Sequence, residues 1–578
     1  VLVYRASLLS GDCALPEALE AGLAKQHLVP LVLAVTSLKD PAAATGLAAA
    51  IAARKPAVIL ATTAFSARDG DDFVLDRADC PVLQAVPVGS AHSAWEASAR
   101  GLSALDLAMQ LALPEFDGRL GGIPVAFKEQ HEAGGFTIGR FVPHDQGIVH
   151  IAACAARWAA LAEKPAAQRR LALVMTDYPA RGGRAGFAVG LDTPASVVAI
   201  QATLCKAGYE TGDPIDPAGL MSVLQQGDAH LVMSLDCYRH VLDALPLKGR
   251  AALAEAHGAP ENDPAFDNGA FRFPIRRAGR LLVALQPARD PSPDRKAAYH
   301  DPDVPPGHGT LAFYAALRDH EAVDALIHLG THGTTEWLPG KAVALSGECW
   351  PRLVLGALPV VYPYVVDDPG EAAPAKRRLG AVVLGHLPPP LMTGDPEAGA
   401  RLLRDLVQEY SEAQVLDPRR AGLIAREILS RAEAIGLAGA CGVDGATTMD
   451  EALTRLDAHL CDLAEMPLRA GLHVFGSAGH EAAHLLRALD GRFVPPGPSG
   501  SPHRGRHDVL PTGRNLFAVD PRAVPTPSAH AQGIRLAEEL LRRHLQDHGD
   551  WPKGLVVDLW GSATMRTAGE EFAMALHL

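Results

Sequence analysis

Between Leu28 and Val86 three short runs, "LVPLVLAVT", "AVILATT" and "VLQAV", are almost continuously apolar, and Ala-rich stretches such as "AAATGLAAAIAAR" (Ala42–Arg54) separate them. A strand that is apolar along its whole length, rather than at alternate positions, is buried on both faces. That pattern belongs to parallel sheets covered by helices on each side. The rhythm returns at "RLALVMT" (Arg170–Thr176), a helical "TPASVVAIQATLCKAG" (Thr193–Gly208), "HLVMSL" and "LLVALQ" (Leu281–Gln286). The fold class read from this is α/β: multidomain, parallel-sheet Rossmann-like units with an added helical region.

At roughly 100 to 200 residues per domain, 578 residues divide into five expected segments. These are an α/β Rossmann-like domain over 1–112, a second α/β domain over 113–300, a core rich in site motifs over 301–395, a helical region over 396–480, and a Pro/Gly-rich loop leading into a further α/β unit over 481–578. In the helical region Leu402, Leu403, Leu406, Val407 and Tyr410 fall on one face at helical spacing, and two more helices are expected over about 419–435 and 448–464. The stretch "VPPGPSGSPHRGRHDVLPTG" (Val494–Gly513) holds nine Pro or Gly in twenty residues. Neither a helix nor a central strand tolerates that, so it is a linker or an ordered substrate loop. The chain opens on Val1 and closes in the helical pattern "EEFAMALHL", which reads as a segment of a longer protein, shortened at both ends.

The formal net charge is −13, from 53 Lys and Arg against 66 Asp and Glu. No long basic stretch stands out, so no nucleic-acid partner is expected. Eight cysteines are scattered without a CxxC pair; they read as thiols of a cytoplasmic protein. No apolar run reaches the roughly 18 to 20 residues of a membrane span.

The densest chemistry lies in "IHLGTHGTTEWLPGK" (Ile327–Lys341), where a strand runs into a Gly-rich turn carrying His328, His332 and Glu336. Carboxyl ends of parallel strands face the usual ligand crevice. The HxxxH spacing is not a zincin site: Leu329 stands where a glutamate is required, and Gly330 and Gly333 oppose a helix. Hydrogen bonds to loop carbonyls would account for either histidine alone. Glu336, beside the Trp337 ring, is placed for desolvation. A second strand, Tyr364–Val366, leads into Asp367, Asp368 and Glu371, then Lys376, Arg377, Arg378, and a third strand ends at His386. Acids first and bases last describe an N-capped helix from Asp368 through Arg378. "DYPARGGRAGFAVGLDTPAS" offers Arg181 and Arg184 in a Gly-rich loop, which is not GxGxxG. "LPGK" is not a P-loop, because Ala342 replaces the Ser or Thr.

In order along the chain stand "YHDPDVPPGHGTLAFYAALR", "HLGTHGTTEWLPGKAVALSGECWPRLVLGALPVVYPYVVDDPGEAAPAKRR", "VLGHLPPPL", "GLHVFG", "VLPTGRNLFAVDPRAVPTP" and "LWGSATMRTAGEE". This series resembles the large subunits of class I metal chelatases, which insert a divalent metal into a tetrapyrrole, and the resemblance runs from about Leu113 to the end. Two branches share it: the cobaltochelatase large subunit and the magnesium chelatase H subunit. "EWLPGK", "DDPGEAAPAKRR" and "SATMRTAGEE" look like the cobalt branch. Thr331, Asp367, Gly385 and Pro388 depart from that branch, where lysine, asparagine, aspartate and threonine are common.

The resemblance implies Co2+ as the metal substrate and hydrogenobyrinic acid a,c-diamide, on the aerobic cobalamin route, as the macrocycle. It also implies a tetrapyrrole-binding subunit whose AAA+ ATPase partner uses Mg-ATP beside a metal-binding adaptor-domain subunit. The alternatives are Mg2+ insertion into protoporphyrin IX, or a non-catalytic tetrapyrrole-binding protein. Insertion exchanges two pyrrole N–H protons for one metal ion, so a carboxylate must accept protons while coordination stabilises the nitrogen anions. Glu336 and Glu371 match the family's cavity glutamates. His332, with His328 and His386, is the expected metal set. Trp337 and Tyr364 are candidates to stack on the ring, and Lys341, Arg377, Arg378 and Arg514 to pair with its carboxylates and amides.

Overall fold

The structure, a computed structural model, describes residues 1–70, 73–176, 186, 188, 190–289, 301–330, 333, 335–388, 403, 406–407, 410, 418–434, 438, 443, 449, 452–453, 456, 472–518, 520, 522–559 and 561–578. Two compact units divide the chain: Val1–Pro388 with His473–Leu578, and Pro389–Leu472.

The larger unit holds two sheets. The first contains β1 (Leu2–Tyr4), β2 (Leu33–Val35), β3 (Ile59–Ala61), β4 (Val82–Val88), β5 (Leu120–Ala133) and β6 (Phe136–Pro143), in the order β2-β1-β3-β4-β5-β6. All pairings are parallel except β5 with β6, a hairpin the apolar runs did not announce. Its turn rests on Gly134 (φ 59°) and Gly135 (φ 85°), the two positive angles a tight two-residue hairpin needs. Only three residues of "LVPLVLAVT" are strand. β2 lies at the sheet edge, Pro30 has no N–H to give, and Val29 is 97 % exposed.

The second sheet runs β15-β16-β14-β13-β12-β7-β11-β10-β8, with β9 (Phe266–Asp267) beside β10. Its strands are β7 (Leu171–Met175), β8 (His230–Ser234), β10 (Ala270–Ala278), β11 (Leu281–Leu285), β12 (Ala325–Leu329), β13 (Val360–Val365), β14 (Val382–His386), β15 (Pro496–Pro498) and β16 (Asn515–Phe517). The centre, β11-β7-β12-β13-β14, is parallel throughout. Every residue of β7, β12, β13 and β14 is buried, as continuous apolarity requires. Alternate residues feed separate cores: Ile327, Leu329, Val361, Val382 and Leu384 pack on one face, and Leu326, Val360, Tyr362, Tyr364 and Val383 on the other.

Strand pairing runs across the boundaries expected at 112/113 and 300/301. β5 completes the first sheet beside β4, and β12 hydrogen-bonds β7. Strands with buried backbone must find partners wherever the chain supplies them. The Pro/Gly-rich stretch gives the edge strand β15 and short 3-10 turns at Pro502–Arg504 and His507–Val509.

In the smaller unit, helix Pro418–Ala434 places Ile424, Ala425 and Ile428 in a core with Leu403, Leu453 and Leu456. The expected helix over 448–464 lies almost wholly outside the described residues, as do Arg181, Arg184, Thr331 and His332. Among the described residues no helix is long and apolar enough to cross a membrane.

Candidate functional site

β12 and β13 lie side by side in a register that brings His328 opposite Tyr362. Their rings stack, 4.9 Å between centroids and 14° apart. The loop after β12 folds back over this pair. Gly333 N donates to Tyr362 Oη (2.6 Å), and Tyr362 Oη donates to Glu336 Oε1 (3.2 Å). Thr335 Oγ1 reaches Glu336 Oε2 at 3.3 Å. Glu336 has no exposed surface. A carboxylate taken out of water costs several kcal/mol unless it is hydrogen-bonded, and these contacts supply that. A Cβ on Gly333 would stand 2.6 Å from His328 Cε1 and 2.7 Å from Glu336 Oε2, so the turn admits only glycine.

Two residues along β13, on the same face, Tyr364 repeats the arrangement: its Oη donates to Glu371 Oε2 at 3.2 Å. The two tyrosine rings are 5.4 Å apart. Burial, then the negative charge of Glu371, holds the Tyr364 phenol well above its usual range, so it stays protonated and donating. Two tyrosines of one strand thus each hold a glutamate from a neighbouring element. Glu371 is in the first turn of helix Pro369–Leu379, which begins after Asp368. Asp368 occupies the cap position without a side-chain cap bond and instead lies 3.4 Å from Arg566 Nη2.

Burial pushes the His328 imidazole down to about 3. Its Nε2 faces Tyr314 Oη at 3.5 Å, and its Nδ1 has no hydrogen-bond partner among the described residues. A neutral imidazole with an unengaged nitrogen is the form that ligates metals. Among the described residues, however, no three His, Cys, Asp or Glu side chains converge as a metal site.

The cations expected at substrate carboxylates are engaged within the protein. Arg378 donates to three carbonyls of the Glu336 loop: Lys341 O (3.1 Å), Leu338 O (2.8 Å) and, in a short contact, Glu336 O. It therefore joins the helix that carries Glu371 to the loop that carries Glu336. Arg377 forks onto Glu115 (2.7 and 3.2 Å). Lys341 gives its ammonium to the carbonyls of Trp95, Glu96 and Ser98 (2.7, 2.9 and 2.7 Å) and lies over the Trp95 ring. Arg514 reaches the carbonyls of Asp508 and Leu510. Tyr364 is wholly buried beside Tyr362 in the core, whereas Trp337 is half-buried in the short 3-10 turn Thr335–Trp337.

His386 goes elsewhere. It aligns with Val365, so it follows Val382 and Leu384 on the face opposite Tyr362 and Tyr364. There it stacks on His473, 5.5 Å between centroids and 12° apart. His473 Nε2 lies 2.9 Å from Glu481 Oε2, and Glu481 also accepts from Gly476 N (2.8 Å), Leu387 N (3.1 Å) and Thr512 Oγ1 (2.8 Å). Burial alone would raise this carboxyl. The His473 hydrogen bond and charge, with His386 and Gly476, outweigh it and hold it below the usual range. Gly385, a departure from the cobalt pattern, has no room for a side chain: a Cβ would lie 2.6 Å from Val366 Cγ1 and 2.7 Å from Leu516 Cδ2.

With this geometry in place, comparison with known proteins is decisive. The family profile described as CobN/Magnesium Chelatase matches residues 1–480 and 477–578. The chain belongs to the CobN/Magnesium Chelatase family. Aerobic cobaltochelatase subunit CobN of a Sinorhizobium species is 36 % identical, over 100 % of this chain and 57 % of its own length. The magnesium-chelatase H subunit of Rhodobacter capsulatus is 29 % identical, over 89 % of this chain and 46 % of its own. A solved structure, the catalytic subunit of cobaltochelatase from Mycobacterium tuberculosis, superposes with a TM-score of 0.78 at 30 % identity, covering 100 % of this chain and 59 % of that one. The chain spans just over half the length of these cobaltochelatase relatives.

Within this CobN/Magnesium Chelatase family member, sequence reasoning passed over Tyr362, the clamp role of Arg378 and the Glu481 cluster. Tyr362 was within reach, because it sits two residues before Tyr364 on a strand, where side chains share a face. Glu481 carries no local signal, and the motif "GLHVFG" that holds His473 does not name its partners; both meet His386 only through the fold.

Proposed function

We propose that this chain is the tetrapyrrole-binding, catalytic part of an ATP-dependent cobaltochelatase that inserts Co2+, its substrate, into hydrogenobyrinic acid a,c-diamide. Insertion releases two protons, one from each of two pyrrole N–H groups, and the molecule offers two Glu–Tyr pairs whose tyrosines share one strand. That pairing carries the reading: Glu336 bonded to Tyr362, and Glu371 bonded to Tyr364. In this mechanism each carboxylate accepts one proton as the nitrogens take the metal. The tyrosine hydroxyls hold the carboxylate oxygens in place, and half-buried Glu371 passes protons to solvent.

His328, and His332 if it follows the same loop, would hold the cobalt ion briefly before transfer; an incomplete ligand set favours release. His386 stands on the other sheet face and is assigned to the Glu481 cluster instead. Trp337 remains the candidate surface for the macrocycle. Two partner subunits, an AAA+ ATPase using Mg-ATP and a metal-binding adaptor, complete the cytoplasmic complex in this reading. The higher identity to a cobaltochelatase subunit than to a magnesium-chelatase one favours cobalt.

The test is reconstitution of the full-length protein with both partners, Mg-ATP, and each metal with each macrocycle. Cobalt entering the corrinoid is expected, and omission of either partner stops turnover while macrocycle binding persists. Preference for Mg2+ and protoporphyrin IX would assign the chain to the other branch.

A further inference from the structure

In the first sheet the chain passes from β1 outward to β2, then crosses back over β1 to β3. Where the strand order reverses in this way, the connections leave on opposite faces and open a crevice at the carboxyl ends of the strands. A cleft of about 360 Å³ lies at that point, lined by Tyr4 at the end of β1, Lys39 after β2, and Thr63, Phe65 and Ser66 after β3. Glu336 and Glu371 belong to the other sheet, so the chelatase reading makes no use of this cleft.

Behind Thr63 and Ser66, which line it, lies a buried hydrogen-bond network. Arg119, 1 % exposed, donates to Thr63 O (2.6 Å), Thr63 Oγ1 (3.1 Å), Gln84 Oε1 (2.9 Å) and Asp117 Oδ2 (3.0 Å). Asp117 in turn accepts from Ser66 Oγ (2.7 Å) and Arg68 N (3.0 Å). Because Thr63 Oγ1 accepts from Arg119, its own O–H remains as a donor, without an acceptor among the described residues. Among the described residues no acidic side chain lines the cleft. Lys39 is exposed at its rim and has no ion-pair partner among the described residues.

At the mouth, Phe65 is held at φ 65°, a left-handed conformation a bulky residue rarely adopts, and its side chain is left 48 % exposed. Strained non-glycine backbone clusters at ligand sites, and here it sets an exposed ring at the opening of the cleft. We propose that this cleft binds a planar heteroaromatic molecule with an anionic tail, the ring against Phe65 and a phosphate or carboxylate at Lys39 and the Thr63 hydroxyl.

The experiment titrates the full-length protein with flavin mononucleotide (a phosphate tail), 10-carboxymethylflavin (a carboxylate tail) and neutral riboflavin, following flavin fluorescence. At least one anionic flavin is expected to saturate the protein, with riboflavin about tenfold or more weaker. The tighter anion then identifies the tail chemistry. Lys39→Ala alters an exposed side chain, and Phe65→Gly removes the ring while relieving the backbone. Each is expected to weaken binding about fivefold or more without lowering the melting temperature. Absence of saturation by both anions at millimolar concentration, riboflavin binding as tightly as they do, or unchanged affinity in the two variants would overturn the proposal.

Discussion

A carboxylate with no exposed surface survives in a fold only where its hydrogen bonds and its chemistry justify it, and Glu336 is such a group. Replacing it with glutamine keeps the shape and removes the proton acceptor of the proposed mechanism. Glu336→Gln is therefore expected to lower metal insertion about 100-fold or more, the scale of a lost general base, with macrocycle affinity unchanged by fluorescence titration. Tyr362→Phe removes the donor to Glu336 Oε1 and the acceptor for Gly333 N. It should cost about 1–3 kcal/mol of stability, measured by denaturant unfolding, because buried polar groups lose their partner.

His328 gives a pH signature. Its folded pKa is depressed to about 3 by burial, against about 6.5 unfolded. The unfolded chain therefore binds the extra proton below pH 6.5. The stability linked to this histidine is intact above pH 6.5 and is lost progressively as pH falls toward 3, by about 1.4 kcal/mol per pH unit. His150, pushed down to about 3 by burial and then by Arg352, adds a slope of the same sign. Denaturation midpoints of His328→Phe, taken from about pH 4 to about pH 7, a window that contains the ordinary histidine value, should fall less steeply as the pH is lowered than those of the native protein.

At the scale of elements, the helix Pro369–Leu379 and the loop after β12 are a single working part because Arg378 binds three loop carbonyls. A lysine offers a point charge where the fork spans several acceptors. Arg378→Lys is expected to lower insertion about tenfold or more while leaving Arg377–Glu115 intact, and protease cleavage within 336–341 should become faster. An unchanged rate would remove Arg378 from the site's architecture.

For the molecule as a whole, the second sheet ties residues from 171 to 517 into one hydrogen-bonded object, while the unit Pro389–Leu472 has a core of its own. Leu387 N and His473 Nε2 both reach Glu481, so the two ends of that insertion are already together. Replacing 389–472 by a short Gly/Ser linker should leave the melting temperature of the larger unit within about 5 °C. Ending the chain at residue 300 should instead yield insoluble protein, because β7 loses β12.

The strands of the central sheet were legible because full burial writes itself as continuous apolarity, and the glycine-bounded loops after β12 and β13 because turns impose local chemistry. The chain also carried its family in ordered motifs long enough to identify it. Tertiary structure decided the rest. It placed Tyr362 between the Gly333 amide and Glu336, turned His386 to the opposite face through strict two-residue alternation, and drew Lys341, Arg377 and Arg378 into internal contacts. A residue type announces which bonds a side chain can make; which partner lies within 3 Å depends on segments hundreds of residues apart, and only the packed fold fixes that.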